Sequence, residues 1–216
     1  MRNLFNPRSL DKTAFPLYNH LFMTLTPDLL VSAYCQGIFP MAHGDGQIHW
    51  YDPDPRAVLP LESFHMPRSL QRTIKHNRFE VRYSTAFEQV MRACGAPAPG
   101  RTTTWISEEF VQVYTLLHRY GLAHSVEAWR NGVLVGGLYG VAIRGLFAGE
   151  SMFSRETDAS KVALAALVMR LRERGFQLLD VQFQTPHLAR FGVVEIPRLL
   201  YKRRLRRALA VEAAFV

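Results

Sequence analysis

The sequence is poor in the features that most often announce a function. It holds only two cysteines, Cys35 and Cys94, in 216 residues. They form no CxxC, and no histidine stands at metal-ligand spacing, so neither a disulfide framework nor a structural zinc site is expected. No apolar run approaches the roughly 20 residues of a membrane-spanning helix. The longest, Val133 to Ile143, contains glycines and stops at Arg144. The amino terminus, MRNLFNPRSLDKTAFP, lacks an uninterrupted apolar core and a cleavage-like site, so no secretory signal is expected and a cytosolic address fits. There is no Walker A string and no GxGxxG after a strand, which leaves ATP and NAD without support. Acidic residues are also scarce: 18 Asp and Glu against 26 Lys and Arg, or +8 before any histidine is protonated. That excess favours polyanionic partners, nucleic acid or an anionic membrane surface, without choosing between them.

What is present reads as an ordinary globular chain, 48% apolar and 20% charged, long enough for one large domain or one domain with a small appendage. Thr26-Pro27-Asp28 opens a helix: a capping hydroxyl, a proline at the first position, and an acid at the positive end of the dipole. Gly37 ends it. After an aromatic, proline-punctuated stretch with a Gly-rich turn, we place a boundary near Pro55, giving a small amino-terminal domain (1–56) and a larger domain (57–216). In the larger part, 67–75 reads as a short helix and 79–83 alternates like a strand. Thr85 and Glu88 have capping-box spacing before a helix through Ala93, and 95–100 reads as a loop. Ser107 caps a helix that ends at Gly121. Strands at 124–130 and 133–141 flank Asn131-Gly132, a hairpin signal because both turn positions need positive φ. A third strand is expected at 146–149. A helix then opens at Asp158 or Ser160 and runs to Arg174, and a buried parallel strand follows at 178–183. The order β, hairpin, β, β, α, β reads as an α/β (α+β) fold and suggests, by analogy at fold level that assigns no function, an acyltransferase-like core of the acetyltransferase type.

Several side chains stand out chemically. Asp180 and Gln182, two apart in a strand, project from one face and need polar partners or a polar ligand. Glu150 follows an apolar strand and is either structural or faces a substrate amine. Ser151 lacks the GxSxG context of a nucleophile, and nothing in the sequence puts His124 or His187 beside one. Arg68, Arg72 and Lys75 at i, i+4 and i+7 make either a phosphate-tracking row or a solvated helix face. The run Arg198, Lys202, Arg203, Arg204, Arg206, Arg207 contains no acid and reads as a basic tail. Trp105 either stacks on a base or closes the core above a helix start. Met152, Phe153, Leu164, Leu167 and Leu179 are pocket or core alike.

Taken together and in order, AYCQGIFPM, WYDPDPRAVLP, TTWIS, AHSVEAWRNGVLVGGLYGV, LFAGESMFS, DASKVAL, LLDVQFQTPHLARFG and EIPR resemble the leucyl/phenylalanyl-tRNA–protein transferase family, from about Leu25 to Tyr201. The resemblance implies a bacterial cytosolic enzyme with no membrane partner. It would move leucine or phenylalanine from aminoacyl-tRNA to the amino-terminal Arg or Lys of a protein, sending that protein into N-end rule degradation. It implies a small amino-terminal domain on an acetyltransferase-like (GNAT-type) domain, with Asp180 and Gln182 as a catalytic pair and Glu150 near the reacting group. It also implies Tyr34 and Trp105 holding the aminoacyl-adenosine end, and Tyr114 as a further substrate-site residue linked to activity. Leu138, Met152, Phe153, Leu164, Leu167 and Leu179 would form a pocket for a side chain unbranched at Cβ, and Arg68, Arg72 and Lys75 would grip the tRNA stem. Two positions depart from relatives: Met41 where some carry Trp, and Leu138 where some carry Met. No cofactor is implied. The Q/R-x-x-G-x-G/A loop that cradles CoA is missing before the 158–174 helix, which weighs against the alternative of a CoA-dependent amine acetyltransferase. A tRNA-binding protein without activity is a further alternative.

The resemblance implies an activated ester as donor, so the reaction would be aminolysis. Two accounts arise from the residues: Asp180 polarises Gln182 as a weak base, or the site works by holding ester and amine in register, with Glu150 and Asp180 attracting the cationic terminus.

Overall fold

The computed structural model describes residues 25–43, 47–97 and 104–216. The amino-terminal stretch read for a signal, the Gly-rich turn at 44–46 and the loop at 98–100 lie outside the described residues. Helix α1 (Pro27–Cys35) begins as its sequence requires. The Thr26 hydroxyl accepts from the Leu29 N–H, and the chain leaves the helix through Gly37 at φ 73°. An antiparallel hairpin follows, β1 (Phe39–Ala42) against β2 (Ile48–Tyr51), separate from the main sheet. Met41 is buried within it.

Seven strands make the main sheet: β3 (Arg56–Val58), β4 (Glu80–Tyr83), β5 (Ala123–Arg130), β6 (Val133–Ile143), β7 (Leu146–Ser154), β8 (Leu178–Gln182) and β9 (Val194–Ile196). Their spatial order is β4-β5-β6-β7-β8-β3-β9. All neighbours are antiparallel except β7 and β8, which run parallel across the crossover helix α5 (Ala159–Glu173). The β5–β6 hairpin turns on Asn131 and Gly132, at φ 51° and 76°, so both residues take the conformation their identities favour. The remaining helices are α2 (Arg68–Lys75), α3 (Phe87–Gly95), α4 (Glu108–Arg119), α6 (Pro186–Ala189) and α7 (Arg198–Leu209). Among the described residues no helix is long and apolar enough to cross a membrane.

Alternation along the strands sorts the helices into two layers. Phe147 and Leu179 face α5 and α2, meeting Leu164, Leu167, Leu171 and Leu70. Ala148 and Tyr139 face the other way, against α1, α3 and α4. Leu146 and Leu178 share that second face by alternation, and there they meet Tyr201, Leu205 and Ala208 of α7. Gly136 lets α5 close on β6: a Cβ there would lie 2.5 Å from the Cβ of Ala159.

The structure corrects several local expectations. Thr85 and Glu88 form no capping box. Helix α3 has no side-chain cap at Ala86; the two backbone N–H groups just ahead of the helix meet Glu127 of β5, which accepts from Thr85 N at 3.0 Å and Ala86 N at 3.1 Å. Glu88 pairs with Arg92. Asp158 stands before α5 but in the left-handed region (φ 71°), and its side chain makes no cap bond. Its carboxylate pairs with Lys161 and accepts from Thr73, tying α5 to α2. The third strand runs to Ser154 rather than Gly149, so Glu150 is inside it. The carboxy-terminal cations belong to a helix, not a tail. Strand β3, helix α6 and strand β9 had no signal strong enough to be expected.

Candidate functional site

Strands β7 and β8 are paired for only three steps, Leu146 with Leu178, Phe147 with Leu179 and Ala148 with Asp180. Both strands continue, but from Asp180 onward they part, β7 keeping to β6 and β8 to β3. Each carries an irregularity at the parting. Tyr139 faces Ser151 while Gly140 faces Gly149, so Glu150 is the extra residue of a bulge. Bulges re-aim side chains, and this one turns Glu150 towards α1 and α4. On β8, Gln182 sits at φ 66°, and the Phe183 N–H donates to the Val181 carbonyl at 2.7 Å. That three-residue γ-turn with positive φ is a costly conformation for a residue with a side chain. The two irregular residues meet across the gap, where Gln182 Nε2 donates to Glu150 Oε1 at 3.0 Å.

Asp180 holds the turn. Its Oδ1 accepts from the backbone N–H of Gln182 at 2.9 Å and from Arg56 Nε at 2.9 Å. Its Oδ2 accepts from Arg56 Nη2 at 2.6 Å and from the Tyr201 hydroxyl at 2.8 Å. Asp180 and Arg56 are each 1% exposed. Burial alone would lower the affinity of the Arg56 guanidinium for its proton; the Asp180 carboxylate reverses this and raises it. Phe39 and Tyr201 lie on the guanidinium at 4.7 and 4.5 Å from their ring centres. With four donors and no exposure, Asp180 is built to brace the Gln182 backbone. Among the described residues its carboxylate bonds the Gln182 backbone and not the Gln182 side-chain amide, which goes to Glu150. The sequence reading missed Arg56 and Tyr201. The one hint lay in DPDPR, where a lone Arg precedes an apolar run.

Glu150 is the opposite case. Its Oε1 accepts from Tyr34 at 2.8 Å as well as from Gln182, and the Tyr34 hydroxyl is hydrogen-bonded to that of Tyr114. Its Oε2 is buried and has no hydrogen-bond partner among the described residues, and the same is true of the nearby Tyr139 hydroxyl. Burial pushes the carboxyl up to about 7, while the bonds from Tyr34 and Gln182 pull the other way. Burial, then the charge of Glu150, holds the Tyr34 and Tyr114 phenols well above their ordinary values, so both remain neutral donors. A carboxyl balanced between its two protonation states near neutral pH, with an unused oxygen, is suited to accept a proton.

The other candidates separate. Trp105 is partly buried and packs edge-on against Phe110, 5.7 Å between ring centres, on the α1/α3/α4 side. Leu138, Leu164, Leu167 and Leu179 are at most 3% exposed and share the α5 core, with Met152 packed on it less fully covered. Phe153 belongs to the opposite core, so the six residues do not line one face of the sheet. Arg68, Arg72 and Lys75 are exposed on α2. Among the described residues no histidine is hydrogen-bonded to Ser151. His124 is 2% exposed, stacked on Phe215 and hydrogen-bonded to Ser84, with burial pushing it down to about 4; it is a core residue. His187 lies in α6 against Phe191. Among the described residues no three His, Cys, Asp or Glu side chains gather to hold a metal.

Fold and site together define a mixed α/β protein in which Glu150 and Gln182 meet where two parallel strands separate. Comparison with known proteins gives this class its family. The profile of the leucyl/phenylalanyl-tRNA protein transferase family matches residues 58–206, and that of the family's amino-terminal domain matches residues 23–54. A leucyl/phenylalanyl-tRNA–protein transferase from Herpetosiphon aurantiacus is 62% identical over 192 residues, covering 88% of this chain and 98% of that one. One from Gloeobacter violaceus is 57% identical over 196 residues, covering 90% and 100%. Among solved structures, L-PGS from Bacillus licheniformis overlays with a TM-score of 0.42 at 12% identity, over 68% of this chain and 48% of that one, a likeness that carries neither fold nor function across. The chain belongs to the leucyl/phenylalanyl-tRNA protein transferase family of aminoacyltransferases.

Proposed function

We propose that this protein takes leucine or phenylalanine from the 3′ end of its tRNA and joins it to the α-amine of a protein beginning with Arg or Lys. In this reading it acts in the cytoplasm, and the product enters N-end rule degradation. The observation that carries the chemistry is Glu150, a carboxyl raised to about 7 with Oε2 unpartnered at the strand parting. An acceptor ammonium brought there loses a proton to the Glu150 carboxylate. The freed nitrogen lone pair attacks the ester carbonyl carbon, forming the C–N bond. The C–O bond to the terminal ribose then breaks; the ribose oxygen takes the proton held by Glu150, and the nitrogen, positively charged after attack, gives its extra proton to the restored Glu150 carboxylate or to water, leaving the neutral amide. Gln182, with Nε2 given to Glu150, has Oε1 left to accept an N–H of the incoming amine and aim it. An α-amine has an ordinary pKa of about 7.7–8.0, so little proton affinity must be overcome. Holding ester and amine in register can supply roughly 7–11 kcal/mol and is the larger effect.

The parting of β7 and β8 also supports the acetyltransferase-like (GNAT-type) reading of 57–216, with 1–56 as the small domain, because a ligand in such a gap reaches both faces of the sheet. Its aminoacyl side chain would enter the α5 side among Leu138, Met152, Leu164, Leu167 and Leu179, displacing core contacts, while Phe153 closes the other side. Tyr34, Tyr114 and Trp105 flank the adenosine end, and Arg68, Arg72 and Lys75 meet the stem. Arginine and lysine termini suit the negative charge of ionised Glu150.

The test is incubation with leucyl-tRNA and a peptide beginning with Arg, followed by mass measurement. A gain of one leucyl residue is expected. A preparation that binds tRNA without transfer, or one that acetylates the peptide from acetyl-CoA, overturns the reading.

A further inference from the structure

Helix α7 has two unlike sides. Tyr201, Leu205 and Ala208 are buried, and the cations on its flank are neutralised: Lys202 by Asp52 at 2.9 Å and Arg198 by Asp54 at 4.0 Å. The side opposite the buried stripe presents Arg203, Arg206 and Arg207 at i, i+3 and i+4, with Arg204 beside them, all exposed. None of the four has a carboxylate within 4 Å among the described residues. Exposed cations elsewhere are of both kinds: Arg92, Arg130 and Arg144 each have one, whereas Arg68, Arg72, Lys75, Arg119, Arg174 and Arg190 have none among the described residues; α7 is distinguished by gathering four such guanidinium groups between 203 and 207. The helix dipole favours Arg206 and Arg207 near the carboxy-terminal end, but it gives no reason for Arg203 and Arg204. Four uncompensated guanidinium groups on a helix pinned by its inner side repel one another and lower stability unless something anionic lies against them.

Position says what that is. α7 packs on the sheet face that carries Tyr34, Tyr114 and Glu150, and its Tyr201 bonds directly to Asp180. The basic row of α2 lies across the sheet, in the α5 layer. An RNA whose 3′ end is delivered to Glu150 therefore has α7, not α2, as the unpaired arginine row on its own side. We propose that the outer face of α7 binds the phosphate backbone of the donor tRNA close to its aminoacylated end. Guanidinium forks at one-turn spacing match successive phosphates and cost little to desolvate. This rests on the function proposed above.

The test measures leucyl-tRNA binding between roughly 50 and 200 mM salt for the wild type, for Arg203→Gln/Arg206→Gln/Arg207→Gln, and for Arg174→Gln, an exposed cation in the other layer. Each phosphate contact contributes about 0.7–0.9 to the slope of log affinity against log salt. The triple variant is expected to lose about 2–3 of that slope and to bind at least about tenfold more weakly at the low-salt end, with an unfolding temperature equal to or above that of the wild type. Arg174→Gln is expected to keep the wild-type slope. An unchanged slope in the triple variant, in protein whose wild type transfers leucine, overturns the α7 site and leaves the function standing. So does wild-type binding to phosphatidylglycerol vesicles that the triple variant loses while its tRNA slope is intact. A wild type that neither binds tRNA nor transfers leucine overturns the function itself.

Discussion

Arg56 clasps Asp180 with two nitrogens, Nε on Oδ1 at 2.9 Å and Nη2 on Oδ2 at 2.6 Å, and both side chains are 1% exposed. A buried pair costs heavily to desolvate and contributes little net stability, but removing one partner strands the other charge. Arg56→Met is therefore expected to lower unfolding free energy by about 3–5 kcal/mol, read from urea denaturation. Arg56→Met/Asp180→Leu is expected to recover a large part of that loss, because no lone charge remains, while turnover stays low because Gln182 has lost its backbone acceptor. A double variant no more stable than the single one would show that the pair is not what Arg56 supports.

Gln182 is held at φ 66° by Asp180, and that conformation costs of order 1–3 kcal/mol for a residue with a Cβ. Gln182→Ala keeps the strain and loses the bond to Glu150. Gln182→Gly loses the same bond and relieves the strain. The glycine variant is expected to be about 1 kcal/mol more stable than the alanine variant, with kcat reduced in both and tRNA affinity nearly unchanged. Equal stability of the two would mean that the turn relaxes on substitution and stores nothing.

Glu150 gives a pH prediction with a definite sign. Its folded carboxyl is raised from 4.5 to about 7 by burial. Between those values the folded state holds a proton that the unfolded state has released, so stability falls as pH rises through that window. The full penalty above pH 7 is about 3 kcal/mol. Glu150→Gln keeps shape and hydrogen bonds without the charge. It is expected to match the wild type in stability near pH 4, to exceed it near pH 8, and to transfer amino acid far more slowly. In the wild type kcat is expected to rise with pH through about 7 as the base ionises. A flat profile in the wild type, or equal stabilities at pH 8, would remove Glu150 from the role.

The parts of this molecule that were legible in sequence are the local ones. Helix α1 is set by Thr26, Pro27 and Gly37, and the β5–β6 hairpin by Asn131-Gly132. The signals sit within a few residues of what they specify. The site is another matter. Arg56 and Asp180 are 124 positions apart, and β3 is three residues long with no alternation to read. The Glu150 bulge exists only in the register between β6 and β7. The α3 cap was misread because Thr85 looked local while the acceptor came from Glu127, 42 positions away. Helix α7 was readable in principle, since Tyr201, Leu205 and Ala208 recur at i, i+4 and i+7, but the arginines between them masked the stripe. Family resemblance named Glu150, Asp180 and Gln182; it did not say that Glu150 bonds the Gln182 side chain while Asp180 holds its backbone N–H.

The last prediction concerns α2. Arg68, Arg72 and Lys75 are exposed, while Leu70 anchors the helix in the core at 1% exposure. Replacing the three cations by glutamine leaves that anchor intact, so the unfolding midpoint is expected to stay put. If the row grips the tRNA stem, the salt slope of leucyl-tRNA binding falls by about 0.7–0.9 for each contact removed. If it is a solvated face, the slope is unchanged. Because α2 and α7 lie in opposite layers and share no side-chain partner, their effects on log affinity are expected to add when the two sets are combined. Addition would mean that one RNA spans both layers by passing around an edge of the sheet. A combined loss no larger than that of either set alone would mean that the RNA uses only one of the two layers at a time.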